Sequence, residues 1–136
     1  MIQDTEIVDA ARIVEFCQSL KDQGFERLAS VTAVDRHPAE PRFEVVYHIH
    51  SIEHNQRRRL KCRIPSTPAE IDSVVSVWRS ANWYEREVFD LFGISFRAHP
   101  DLRRIMLPDD WDGHPLRKDY PVHGHRYSYK DEEGAG

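Results

Sequence analysis

The sequence predicts an α+β domain: a small, mainly antiparallel sheet with helices packed on one face, followed by an extended, proline-rich C-terminal segment. Three observations carry this. Residues 42–50 and 58–64 alternate apolar and polar side chains with period two, as half-buried strands do. Apolar residues recur at helical spacing before and after that pair of runs. Four of the eight prolines (Pro100, Pro108, Pro115, Pro121) fall between 96 and 122, which forbids a long helix or a central strand there.

Taken in order, residues 4–24 place Ile7, Ala10, Ala11, Val14, Cys17 and Leu20 on the stripe of an amphipathic helix, with Gly24 as its stop. Residues 28–34 supply a strand. In 42–50, Phe43, Val45, Tyr47 and Ile49 share one face and Glu44, Val46, His48 and His50 the other. In 58–64, Leu60, Cys62 and Ile64 oppose Arg59, Lys61 and Arg63, and the polar stretch 51–56 joins the two runs as an antiparallel hairpin. Thr67-Pro68-Ala69-Glu70 reads as a capping box with proline at the first helical position, and Ile71, Val74, Val75 and Trp78 continue it as a second helix. Asn82-Trp83-Tyr84-Glu85 repeats the box, and Tyr84, Val88, Leu91 and Phe92 give a third, short helix ending at Gly93. The chain thus divides into a domain over 1–95, an extended segment over 96–122 and a tail over 123–136, expected to be mobile. Ile105, Met106, Leu107, Trp111, Leu116 and Tyr120 give the segment too much apolar surface to stay free, so it needs something to lie against.

Composition excludes several classes of function. At 136 residues and 16.0 kDa, one core is expected. Nineteen Lys and Arg against 23 Asp and Glu give a net charge of −4, which argues against a dedicated nucleic-acid binder. Apolar runs reach only three residues, far short of the roughly 20 that span a bilayer. The first residues lack the pattern of a signal peptide, so a cytosolic address is expected. Cys17 and Cys62 can build neither a disulfide framework nor a four-thiolate cluster, so iron–sulfur chemistry would belong to a partner.

Candidate chemistry is sparse. The basic stretch 57–63 could meet phosphate or anionic lipid, but charges on alternate residues are what the solvent face of a hairpin requires. His48 with His50, and His123 with His125, have a spacing that can deliver two imidazoles to one zinc ion, yet nothing fixes Asp109, Asp110 or His114 near either pair as a third ligand. No glycine pattern cradles a phosphate, and no nucleophile motif is present. Glu85, Glu87 and Asp90 could act in acid–base work. A structural use is favoured, with Glu85 closing the helix cap and Arg86 pairing with Asp90 four residues on. Trp78, Trp83, Phe89 and Phe92 are read as core.

The string Asn-Trp-Tyr-Glu-Arg-Glu-Val-Phe-Asp-Leu-Phe-Gly-Ile-Ser-Phe from Asn82, followed by His-Pro-Asp-Leu-Arg-Arg-Ile-Met from His99, resembles the signature of the thirty-kilodalton (C) subunit of NADH:quinone oxidoreductase, respiratory complex I. The matching positions are Glu85, Arg86, Glu87, Asp90, His99, Asp101, Arg103 and Arg104; the continuation 107–121 adds Asp109, Asp110, Trp111, His114, Arg117, Lys118, Asp119 and Tyr120. Ala98 stands where the family frequently has glycine, and both ends are short by comparison. The resemblance implies a cofactor-free structural and assembly subunit of the peripheral arm of a proton-translocating enzyme. It would dock beside subunits D and B, whose interface forms the quinone site. FMN, iron–sulfur clusters and quinone would lie on other subunits, and the membrane association, on the cytoplasmic side of the bacterial inner membrane, would be indirect. The signature residues would then form a subunit interface, none of them catalytic, cofactor-binding or metal-binding, with no nucleic acid among the partners. Two alternatives stay open: the equivalent subunit of a related membrane-bound hydrogenase or dehydrogenase, and a free-standing histidine-dependent metalloenzyme.

Overall fold

The computed structural model describes residues 3–108 and 110–120. Four strands, β1 (Gln3–Ile7), β2 (Arg27–Asp35), β3 (Phe43–Ser51) and β4 (Gln56–Ile64), form one sheet in the order β1-β4-β3-β2. The β2–β3 and β3–β4 pairs are antiparallel, and β1 joins β4 in parallel. Helices α1 (Ile13–Asp22) and α2 (Ala81–Phe92) cover one face, and β5 (Glu70–Asp72) and β6 (Ser95–Arg97) form a two-stranded parallel pair beside them. The expected α+β architecture is therefore present, with the hairpin, the third strand and the short helix before Gly93 all where the sequence places them.

The period-two pattern of β3 sets the core. Phe43, Val45, Tyr47 and Ile49 point to the helices and are buried, with Leu60, Cys62 and Ile64 beside them on β4. Ile13, Cys17 and Leu20 of α1 and Ala81 and Val88 of α2 close that core from the other side. Burial pushes both thiols up, Cys62 to about 12.

Two elements depart from the sequence reading. The helix expected over 4–24 is only its second half: 3–7 is strand β1, Ala10–Arg12 is a 3-10 turn capped by the Asp9 carboxylate, and α1 begins at Ile13. Ile7, counted in the helical stripe, is 59 % exposed, so it carries no core contact. Ladder bonds to β4 and the ion pair of Glu6 with Arg58 hold the segment extended instead.

The second helix, expected from Thr67 onward, does not form. Its capping box would contribute about 1 kcal/mol, whereas burying Ile71, Val74, Val77 and Trp78 contributes about 1.5–3 kcal/mol each. The chain adopts the path that buries all four side chains. That path is β5, paired with β6 through Ser95 N–H to Ala69 O (2.9 Å) and Ser73 N–H to Arg97 O (2.9 Å), and then a series of turns. Arg97 clamps the pair by bonding Asp72 (2.8 Å) and Glu70 (3.0 Å).

Candidate functional site

The signature residues gather around α2. The start of this helix differs from the reading of the sequence: Ser80, not Asn82, is the N-cap residue, and it makes no side-chain cap bond. Glu85 is no cap either. It is wholly buried, and its carboxylate accepts from Ser73 Oγ (2.6 Å) and from the Val74 N–H (2.9 Å), tying α2 to the turn after β5. Burial pushes its carboxyl up to about 7, even though both hydrogen bonds favour the charged form. His99 lies 4.0 Å away, with its side chain fully buried. Its Nδ1 accepts from the Asp101 N–H (2.9 Å), so Nε2 carries the proton and donates to the Asn82 carbonyl (3.1 Å).

One helical turn further on, Asp90 does not pair with Arg86. Its buried carboxylate accepts from Arg104 Nε (2.5 Å) at one oxygen and from the N–H groups of Ile105 (3.0 Å), Met106 (2.7 Å) and Leu107 (3.1 Å) at the other. Burial alone would raise this carboxyl, but Arg104 and the three N–H groups outweigh it and hold it below the usual carboxylate range. Arg104 also donates to the carbonyls of Trp111 (2.7 Å), Gly113 (2.7 Å) and Asp90 itself (3.1 Å). Arg86 instead lies over the Trp83 ring (5.9 Å), with Nε near the Arg103 carbonyl (3.5 Å).

The last carbonyls of a helix have no intrahelical partner. In α2 they are satisfied by residues 98–120, which fold back as a strap. His114 Nδ1 donates to Asp90 O (2.8 Å), the Leu116 N–H to Leu91 O (2.9 Å) and Arg117 Nε to Phe92 O (2.5 Å). Cations at a helix C-terminus also complement its dipole. The strap passes so close that a Cβ at Gly93, where φ is +77°, would lie 2.6 Å from His114 and 2.7 Å from Arg117.

The strap's far end is held by residues the sequence did not flag. Arg42 grips the buried Asp35 through both carboxylate oxygens (2.8 Å each) and also Asp119 (2.8 Å), and the Lys118 N–H donates to Asp35 (2.7 Å). Asp35 is held well below the usual range, since Arg42 and the backbone donors overcome its burial. No local pattern could reveal this knot, because Arg42 and Asp119 lie 77 positions apart. Trp111 donates to the Tyr120 hydroxyl (3.1 Å), and Arg103 pairs with Asp101 (3.0 Å) at the surface.

The remaining signature positions are Glu87, which lines a groove, the exposed Asp110, and Asp109, which lies outside the described residues together with His123 and His125. Among the described residues, no three His, Cys, Asp or Glu side chains converge as metal ligands. Around the strap three apolar side chains are also left open: Trp83 (52 % exposed), Met106 (52 %) and Leu116 (53 %). Leu116 also lines a groove of about 200 Å³ between β2 and α2, with Val31, Ala33, Val88, Leu91 and Phe92. Trp78, by contrast, is in the core as read, donating to the Phe25 carbonyl (3.2 Å).

Several known proteins are similar to this chain in sequence and in fold. The family model described as respiratory-chain NADH dehydrogenase, 30 Kd subunit, matches residues 7–126. The C subunit of the NADH-quinone oxidoreductase of Geobacter sulfurreducens is 51 % identical over 122 residues, covering 88 % of this chain and 75 % of its own length. The C 2 subunit of the same enzyme from Rhizobium etli is 47 % identical over 132 residues, covering 95 % and 68 %. Among solved structures, a trypsin-resistant fragment of Nqo5 is similar with a TM-score of 0.67 at 34 % identity, over 71 % of this chain and 80 % of that one. A chain of an archaeal respiratory membrane complex, the membrane-bound sulfane sulfur reductase, gives a TM-score of 0.81 at 30 % identity, over 93 % and 76 %.

Proposed function

The chain belongs to the respiratory-chain NADH dehydrogenase 30 Kd subunit family, and from that premise we propose that it is a structural and assembly subunit of a NADH-quinone oxidoreductase. It binds its neighbours through the strap and the outer side of α2, while electrons pass over FMN, iron–sulfur clusters and quinone held elsewhere. The observation that supports this most is how the signature residues are used. Asp90, Arg104, His114 and Arg117 are all engaged in fastening the strap to the end of α2. The apolar side chains Trp83, Met106 and Leu116 are left facing outward around them. Exposed aromatic and aliphatic side chains beside a rigid, internally satisfied framework are the anchors a protein interface needs.

Subunits D and B, beside the quinone site, are the proposed neighbours. No helix among the described residues is long and apolar enough to cross a membrane; the chain is accordingly proposed to sit peripherally on the cytoplasmic side, held there by the complex. Similarity to a chain of a sulfane sulfur reductase supports a role independent of the electron acceptor. The test is substitution of the exposed apolar side chains. Leu116→Asp and Trp83→Ala should each lower recovery of the tagged chain in the purified complex by about tenfold or more, with the melting temperature of the isolated chain unchanged. Wild-type recovery for both would refute the interface.

A further inference from the structure

The sheet face turned away from the helices is strongly cationic. Arg57, Arg59, Lys61 and Arg63 line it on β4 and Arg27 on β2, against a single carboxylate on β3, Glu44. Glu44 is already engaged by Arg63 (2.9 Å) and Lys61 (4.0 Å), and Arg59 donates to Thr5 (2.9 Å). Arg27 and Arg57 have no hydrogen bond or ion pair to any described side chain. At their end of the sheet is a pocket of about 230 Å³ lined by Arg27, Ala29, His48, His50, Arg57 and Arg58. The Nε2 atom of His50 is buried there without a hydrogen-bond partner among the described residues. A buried imidazole nitrogen left unpaired is costly, and in this setting a carboxylate would satisfy it together with two idle guanidiniums.

We propose that this face is a second docking surface, taking an acidic segment of a neighbouring protein subunit, with one of its carboxylates seated in the pocket of His50, Arg27 and Arg57. The proposal rests on the reading of the chain as a subunit of a larger complex. Charge decides between protein and polyanion. The chain carries a net charge of −4, which opposes long-range attraction to nucleic acid or to an anionic membrane. Carboxylates meeting arginines across a desolvated contact act at short range, where the five local cations dominate.

The test uses the full chain assembled in its complex. A photo-crosslinking residue is placed at position 57, and in separate samples Arg27→Glu with Arg57→Glu, or Glu53→Lys as a control on an exposed turn, is introduced. The expected result is an adduct at 57 to an acidic peptide of another subunit of the complex. The double reversal should lower recovery in the complex about tenfold or more, as like charges would then meet across the contact, with Glu53→Lys unchanged. An intact complex with no adduct at 57 and full recovery of the double variant would overturn the proposal. An adduct to lipid or nucleic acid would overturn it as well. Failure of the wild-type chain to co-purify with any complex would instead refute the parent reading, so the two failures are distinguishable.

Discussion

Replacing Asp90 by alanine tests the strap at its firmest point. The substitution removes, in one step, the acceptor for Arg104 and for the N–H groups of Ile105, Met106 and Leu107. Removing one partner of a buried ion pair costs about 3–5 kcal/mol, because the other charge is left uncompensated. Arg104 can escape that cost if the strap swings off α2 into water, so the loss cannot exceed what the strap contributes to the fold. Within that ceiling, a cost of about 3–5 kcal/mol lowers the melting temperature of a chain this size by roughly 10–20 °C. Arg104→Ala should cost about half as much, since Asp90 keeps its three backbone donors. The double variant should fall short of the sum by about 1–3 kcal/mol, as expected for groups in contact.

The pH dependence has a definite sign. The folded pKa of Asp90 lies below its unfolded value of about 3.9. Its contribution is therefore complete above about pH 5 and disappears as pH falls through the folded pKa. The gap between variant and wild type should stay constant from pH 5 to 8 and narrow below about pH 4. Thermal melts across that range, with hydrogen exchange at residues 105–107, measure it. A variant melting within about 3 °C of wild type at pH 7, with those amides still protected, would refute the account.

Gly93→Ala meets both a left-handed backbone and contacts under 3 Å to His114 and Arg117; it should cost about 2 kcal/mol or more and loosen the strap in limited proteolysis. Ala98, at φ +65°, is the reverse case: Ala98→Gly removes left-handed strain and should raise stability by about 0.5–1 kcal/mol in denaturant titration. Glu85 has a folded pKa near 7, above its unfolded value, so the folded chain binds this proton more tightly and stability falls as pH rises from about 4.5 through 7. Glu85→Gln abolishes that dependence, and its stability relative to wild type should improve by about 1–3 kcal/mol between pH 5 and 8 in parallel melts. Arg42→Ala leaves Asp35 with only the N–H groups of His37 and Lys118 as donors and frees Asp119, and should cost about 1.5–3 kcal/mol in thermal melts.

The elements legible in the sequence are those whose two faces meet different surroundings within a short stretch. The hairpin 43–64 shows its alternation because β3 has core on one face and cations on the other, and α2 shows its stripe because Val88 is buried while Trp83 is not. β1 was illegible for the opposite reason. Gln-Asp-Thr-Glu-Ile contains a single apolar residue, and that one faces outward, so period two had nothing to mark. The β5 region misled because residues 71, 74, 75 and 78 carry a helical spacing in a stretch that turns rather than winds, burying Ile71, Val74 and Trp78 while Val75 stays partly covered. In the site, the signature string named the residues but not their partners. Arg86 and Asp90 are correctly spaced for a helix pair, yet Arg104 offers Asp90 a nearly buried guanidinium. Asp35 and Ser73 gave no signal, since their roles exist only after distant segments meet.

The parallel pairing of β1 with β4 bears on how the chain is made. Residues 3–7 leave the ribosome long before their partners at 57–61 have been synthesised. Until they close onto β4, that strand presents nine residues of bare hydrogen-bonding edge to every other nascent copy. Such an edge invites intermolecular pairing, and charged side chains along it are a recognised deterrent. Arg57, Arg58, Arg59, Lys61 and Arg63 sit on this edge. Two copies approaching through it would bring like charges together in either orientation, so the basic run acts as a gatekeeper in the interval before the first strand pairs with residues 57–61.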